Sequence, residues 1–333
     1  VGRSTATYLA ARGTTTGSVE PSVNQYVESV ARHASLPGAP IEVARSLAEV
    51  DVGAVHEIVS AAAERDGVTP LHEHAMLQVT TEPVDAVTHL LARSDARVVG
   101  YAQLDQRDPV APRLECVVAP DARRQGWGRA LVERGRALVS PQQLELWSHG
   151  DQPAAAALAE RLGFSRVRAL WLMRRDLDTE LPPVPSVEPP LRIRTFRPGE
   201  DEDAWLTLNA RAFADHPEQG QTTRADLARR MRQSWFDPKG FFLAERDDRL
   251  VGFHWTKVHA ADPPVGEVYV VGVDPDTQGS GLGRTLTLVG LHYLRDRGLQ
   301  SVVLYVEATN APAIAVYSRL GFVHADTDVM YRG

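Results

Sequence analysis

Gln278-Gly279-Ser280-Gly281-Leu282-Gly283-Arg284 lies between an apolar run, Glu267 to Val273, and a helical pattern, Gly281 to Arg297. The run reads as a strand, so the order is strand, glycine-rich loop, helix. Glycine lets a backbone approach a ligand closely and adopt conformations other residues resist. The free N–H groups opening a helix favour an anion, and a pyrophosphate held by backbone amides is the natural occupant. Glycines alone would equally serve an ordinary tight turn. No Gly-Lys-Ser/Thr follows, so this is not a P-loop. The preceding unit is not a parallel βαβ crossover, which excludes the dinucleotide fingerprint.

The loop occurs twice. Pro120-Asp121-Ala122-Arg123-Arg124-Gln125-Gly126-Trp127-Gly128-Arg129-Ala130-Leu131 matches Pro275 to Leu286 at a constant offset of 155. Val99-Gly100-Tyr101 returns as Val251-Gly252-Phe253, and Leu162-Gly163-Phe164 as Leu320-Gly321-Phe322. Three matches in one order indicate a duplicated domain. Between the copies, Leu181 to Pro190 is proline-rich, which suits a semi-rigid extended linker. The expected division is a flexible extension over 1–40, a first domain over 41–180, the linker over 181–190 and a second domain over 191–333. The first residue is Val, so the chain need not begin there in the cell.

The second copy has the clearer pattern. Strands are expected at Leu191–Phe196, Phe241–Ala244, Leu250–Lys257, Glu267–Val273 and Val302–Val306, with a last one ending near Tyr331. Helices are expected at Asp203–Phe213, Ala225–Trp235, Gly281–Arg297 and Pro312–Leu320. The fold class is α+β: two tandem domains, each a mixed, mainly antiparallel sheet flanked by helices.

Composition narrows the function. Across 333 residues the net charge is −7, and positive charge is scattered as Arg without a dense basic block, which argues against nucleic acid as a partner. The single cysteine, Cys116, excludes an intramolecular disulfide or a cysteine-based zinc site. No apolar run is long enough to span a bilayer, and the N-terminal stretch lacks a signal-peptide core. The expectation is a cytoplasmic monomer without a metal. His72-Glu73-His74 lacks the spacing of a helical zinc pair, and His254 and His259 read by default as histidines packed against Trp255.

One more stretch makes the pattern specific. Asn310-Ala311-Pro312-Ala313-Ile314-Ala315-Val316-Tyr317-Ser318-Arg319-Leu320-Gly321-Phe322 follows the loop at the separation found in the GCN5-related N-acetyltransferase (GNAT) superfamily, which the sequence resembles. The resemblance implies that the loop cradles the pyrophosphate of acetyl-CoA, and that the strand before it parts from its neighbour to admit the thioester arm. It implies coenzyme contacts at Val271, Gly272, Val273, Gln278, Gly279, Ser280, Gly281, Leu282, Gly283, Arg284 and Asn310. In the first copy it implies the same for Cys116, Val117, Val118, Arg124, Gln125, Gly126, Trp127, Gly128 and Arg129. The Cys116 side chain itself reads as a small core residue.

A closer resemblance runs from about residue 41 to the end, through His216-Pro217-Glu218-Gln219-Gly220, Gly252 to His259 and Gly266 to Val270. It is to a tandem-domain branch of that superfamily that acetylates the cysteinyl amine of a cysteinyl-glucosaminyl-inositol. It implies Glu73, Glu218, Lys257, Glu267 and Tyr305 around a small-molecule amine, Glu267 as base and Tyr317 as acid. Amides of Val271 and Val273 would stabilise the oxyanion. Glu267 also fits a strand-end ion pair, Tyr317 a core aromatic, and the other pocket residues solvated charges. In the first copy the offset of 155 puts Pro112 opposite Glu267, and the Leu-Gly-Phe match puts Ala159 opposite Tyr317 and Gln152 opposite Asn310. That copy is therefore expected to hold coenzyme without using it. Acetylation of another small amine or a protein N-terminus, and a non-catalytic coenzyme-binding regulator, are the alternatives.

Overall fold

The structure is a computed structural model, described over residues 41–140, 143–214, 219–260 and 263–333. The extension expected over 1–40 lies outside the described residues.

In the first half the order is β1 (Ile41–Ala44), α1 (Glu49–Asp66), α2 (Glu73–Met76), β2 (Val87–Ser94), β3 (Arg97–Asp105), β4 (Arg113–Val118), α3 (Trp127–Val139), β5 (Glu145–Ser148), α4 (Pro153–Arg161) and β6 (Ser165–Asp176). The second half runs β7 (Leu191–Thr195), α5 (Glu202–Ala212), α6 (Arg224–Met231), β8 (Phe241–Arg246), β9 (Arg249–His259), β10 (Val265–Val273), α7 (Leu282–Asp296), β11 (Ser301–Glu307), α8 (Ala311–Arg319) and β12 (Val323–Arg332). The β8–β9 turn is Asp247-Asp248, both at positive φ (50° and 58°), as a tight hairpin turn requires. The helix expected to reach Trp235 stops at Met231. Residues beyond it descend towards Asp237-Pro238, a pair that disfavours helix.

Among the described residues the twelve strands form one sheet, ordered β1-β2-β3-β4-β5-β12-β6-β11-β10-β9-β8-β7. Only β4–β5 and β10–β11 are parallel. The centre is exchanged between halves: β12 pairs with β5, and β6 with β11, while β6 and β12 pair with each other. The cores repeat the exchange. Val329 and Tyr331 of β12 join the first half's core beside Leu114, Leu131 and Leu146. Met173, Leu177 and Leu181 join the second half's core with Leu291, Leu304 and Phe322. Each such side chain contributes about 1.5–3 kcal/mol of burial, so neither half closes its core without the other's last strand.

Candidate active site

Each half opens its sheet at one place. β10 and β11 are in register only at Gly266↔Val302 and Glu267↔Val303, and β4 and β5 only at Arg113↔Glu145 and Leu114↔Leu146. Beyond those pairs the parallel strands part. Asp274 donates its N–H to the Val251 carbonyl at 2.9 Å. Antiparallel alternation then turns the Gly272 N–H to β9 and those of Val271 and Val273 into the gap. Ala119 bonds to Val99 likewise, which sends the N–H groups of Cys116 and Val118 into the first gap.

The loops beyond the gaps share a backbone. Gly279 and Gly281 have φ of 80° and 82°, and Arg124 and Gly126 have 63° and 94°. Gly281 and Gly126 are the N-caps of α7 and α3, with no side-chain cap. The first amides of both helices are thus left for a ligand, a fit to a pyrophosphate. Ser280 turns its hydroxyl onto the Thr277 carbonyl at 2.7 Å, and Leu282 is buried. Asn310 uses its side chain differently: Oδ1 accepts the Ala313 N–H at 3.1 Å and caps α8.

Between the halves lies a cavity of about 760 Å³ lined by residues of both. Lys257 and Glu267 stand directly opposite on β9 and β10, yet the Lys257 ammonium turns away and binds Glu73 of the first half at 2.6 Å. It also lies over the rings of Trp235 (4.9 Å) and Tyr269 (5.4 Å). Burial would raise the Glu73 carboxyl, but Lys257 outweighs it and holds the group below its usual range. Arg230 donates to the Tyr269 hydroxyl at 2.9 Å. Glu267, buried, accepts from Nε2 of His259 at 2.7 Å. Tyr305 lines the same cavity.

The first half supplies a second charged group. His149 donates to Asp328 of β12 at 2.8 Å and to Glu115 at 3.3 Å. Burial opposes its charge, but the two carboxylates prevail and raise it to about 10. Glu115 also accepts the His72 N–H at 2.5 Å, which fixes the start of α2 and hence Glu73. Cys116 is half-buried against the first core, and desolvation pushes its thiol up to about 11, so it stands protonated. Among the described residues no three His, Cys, Asp or Glu side chains converge to hold a metal ion, and no helix is long and apolar enough to cross a membrane.

The structure thus gathers Glu73, Lys257, Glu267 and Tyr305 in one cavity, while Glu218 lies outside the described residues. Tyr317 packs against the second half's core, to which Val271 and Val306 also belong, its ring 5.9 Å from Phe322, and burial pushes its phenol up to about 12. One assignment needs correction. A bulge at Tyr269, between Val268 and Val270, adds a residue to β10. Counting along paired strands, Arg113 faces where Glu267 does, not Pro112. Ala159 does occupy the Tyr317 position, buried in the first core.

Sequence reasoning missed Arg230, Tyr269, Trp235 and His149, and misplaced His259. His254 is a core histidine, bonded through Nδ1 to the Leu286 carbonyl at 2.7 Å and lowered to about 4 by burial. His259 is 40% exposed and faces Glu267. The available signal was strand alternation, which places 257 and 259 on one face.

The acetyltransferase (GNAT) family profile matches residues 204–322, and an acetyltransferase (GNAT) domain profile matches residues 85–166. A mycothiol acetyltransferase of Acidothermus cellulolyticus is 54% identical over 294 residues, 83% of this chain and 89% of that protein. One from Catenulispora acidiphila is 50% identical over 314 residues, 89% of this chain and all of that protein. Among solved structures, a GCN5-related N-acetyltransferase from Sphaerobacter thermophilus aligns with a TM-score of 0.65 at 25% identity, covering 90% of this chain and 96% of that one. A tandem GNAT protein of the clavulanic acid pathway aligns at 0.69 and 24% identity, covering 88% and 98%, a likeness of fold.

Proposed function

This chain belongs to the mycothiol acetyltransferase family, acetyl-CoA-dependent N-acetyltransferases built from tandem GNAT domains, and we propose that it acetylates the cysteinyl amine of cysteinyl-glucosaminyl-inositol, giving mycothiol and CoA. The observation that carries this reading is the cavity between the halves, where Lys257 is bound by Glu73 and Glu267 is left to His259. Were Lys257 paired with Glu267, its directly opposite neighbour, the carboxylate would be sealed by a cation. Turned to Glu73, it leaves Glu267 open to an arriving ammonium.

Glu267 takes a proton from that ammonium. A free carboxylate is a weak base for an amine, so burial of Glu267 and a relaying water suit the step. The N–H groups of Val271 and Val273 meet the thioester carbonyl oxygen as it gains charge. Tyr317, protonated at neutral pH because burial holds its phenol up near 12, supplies the proton for the departing sulfur. Carboxylates, Arg230 and Tyr305 offer partners for a hydroxyl-rich sugar and inositol.

The first half has Arg113 in place of the base and Ala159 in place of the acid, so turnover belongs to the second half. Its loop backbone, with Arg124 kept at positive φ at about 1 kcal/mol or more, supports a second acetyl-CoA held there without reaction. The test is to incubate the protein, acting as a monomer, with acetyl-CoA and the acceptor and to follow the acetylated product by mass spectrometry. A thiol-release readout is ambiguous, because the acceptor carries its own thiol. Product from this acceptor, with simple polyamines and peptides unreacted, supports the reading. No product, with acetyl-CoA still bound, overturns the substrate.

A further inference from the structure

Glu267 has one hydrogen-bond partner among the described residues, Nε2 of His259 at 2.7 Å. The two side chains share a face of the β9–β10 ladder, where Val265 pairs with His259 and Glu267 with Lys257. Glu267 is almost sealed, at 8% side-chain exposure, while His259 stands 40% exposed at the cavity rim. A buried carboxylate held by a single imidazole at the cavity rim is an arrangement in which the outer group fixes the orientation of the inner one. Resting on the reading of Glu267 as base, we propose that His259 is a positioning residue for the acetyl transfer: its imidazole N–H donates to one oxygen of Glu267 and aims the other at the acceptor amine.

A carboxylate held by a single N–H keeps a fixed plane, so its free oxygen is presented in one direction rather than averaged over rotamers. The other charged and titratable groups around the pair are Lys257, Glu73, Arg230, Tyr269 and Tyr305. Lys257 is bound to Glu73 and Arg230 to Tyr269, so none of the cations takes the place of His259 on Glu267.

The experiment measures kcat and both KM values for wild type, His259→Gln, His259→Ala and Glu267→Gln, by mass-spectrometric product formation. Gln keeps an N–H donor and Ala does not. The expected result is a His259→Ala kcat lowered about tenfold with both KM values within about twofold, and a His259→Gln kcat that recovers most of that loss. Equal loss in Gln and Ala, or a His259→Ala kcat at the wild-type value, overturns the proposal. If Glu267→Gln keeps its rate, the base assignment falls and this inference with it. A dead Glu267→Gln beside silent His259 variants removes the inference alone.

Discussion

The two halves of this molecule keep the same strand, loop and helix scaffold and differ in what they put around it. Both part a parallel strand pair after two residues, both turn into a helix through two left-handed positions, and both leave that helix without a side-chain cap. The Glu267 position, however, is Arg113 in the first half, bound to Glu145 at 3.1 Å, and Glu145 in turn holds Arg332 of the exchanged strand β12. The place proposed for proton transfer in one half is used for strand docking in the other. Binding geometry resides in the backbone and tolerates substitution; proton chemistry resides in single side chains and does not.

The harshest way to break this comparison is to remove the same position from both halves. Glu267→Gln is expected to lower kcat by about 10²–10⁴, the range for a lost general base. Arg113→Gln should leave kcat within about twofold and lower Tm by a few degrees, because it loosens the anchor of β12. If Arg113→Gln costs as much turnover as Glu267→Gln, the division of labour is wrong.

Tyr317→Phe probes the acid. It keeps the ring on Phe322 and removes only the hydroxyl, so kcat should fall about 10- to 100-fold, with both KM values nearly unchanged and unaltered stability. Wild-type kcat in Tyr317→Phe would return the residue to the core-aromatic role that Ala159 fills in the first half. Glu73→Gln tests whether the first half serves the second. The acceptor KM should rise roughly tenfold, in line with the loss of a buried charged contact, while the acetyl-CoA KM stays put. A variant that changes both KM values equally would mean that Glu73 holds the fold instead of the acceptor.

Much of this was legible in the sequence because it depends on local backbone demands. Gly279 and Gly281 mark the left-handed turns, Asp247-Asp248 marks the hairpin, and the repeated Leu-Gly-Phe marks the domain pair. The exchange of β6 and β12 was not legible. Both strands have similar alternation, and nothing local says which neighbour each will choose. The bulge at Tyr269 was equally silent, since its strand carries no glycine or proline at that point, and it alone displaced the count from Arg113 to Pro112. Lys257 and Glu73 were expected in one pocket by resemblance, but their ion pair joins residues 184 positions apart, as His149 and Asp328 are joined across 179. Contacts of that range follow from topology, and the topology hinged on the exchange.

The smallest effect sharpens the comparison at the exchanged strands themselves. Each is tied to its new neighbour at matching places, by His149–Asp328 at the end of β5 and by Arg168–Glu307 at the end of β11, where Arg168 Nε lies 2.6 Å from the carboxylate. The second tie keeps its charge over the whole accessible range, because guanidinium does not deprotonate there. The first does not. His149 is raised to about 10 in the folded chain, against burial, by Asp328 and Glu115, whereas an unfolded histidine titrates near 6.5. A folded value above the unfolded one means that the stabilisation is complete below about pH 6.5, declines through the interval and is gone above about 10. Wild-type Tm should therefore fall by about 5 °C more between pH 6.5 and 10 than that of His149→Asn, which has already lost the tie at every pH. Glu307→Gln should be less stable throughout while following the wild-type slope, since its contact carries no such titration. Parallel slopes for wild type and His149→Asn would mean that the imidazole is neutral in the folded protein, and that the two strand ties differ in chemistry without differing in response to pH.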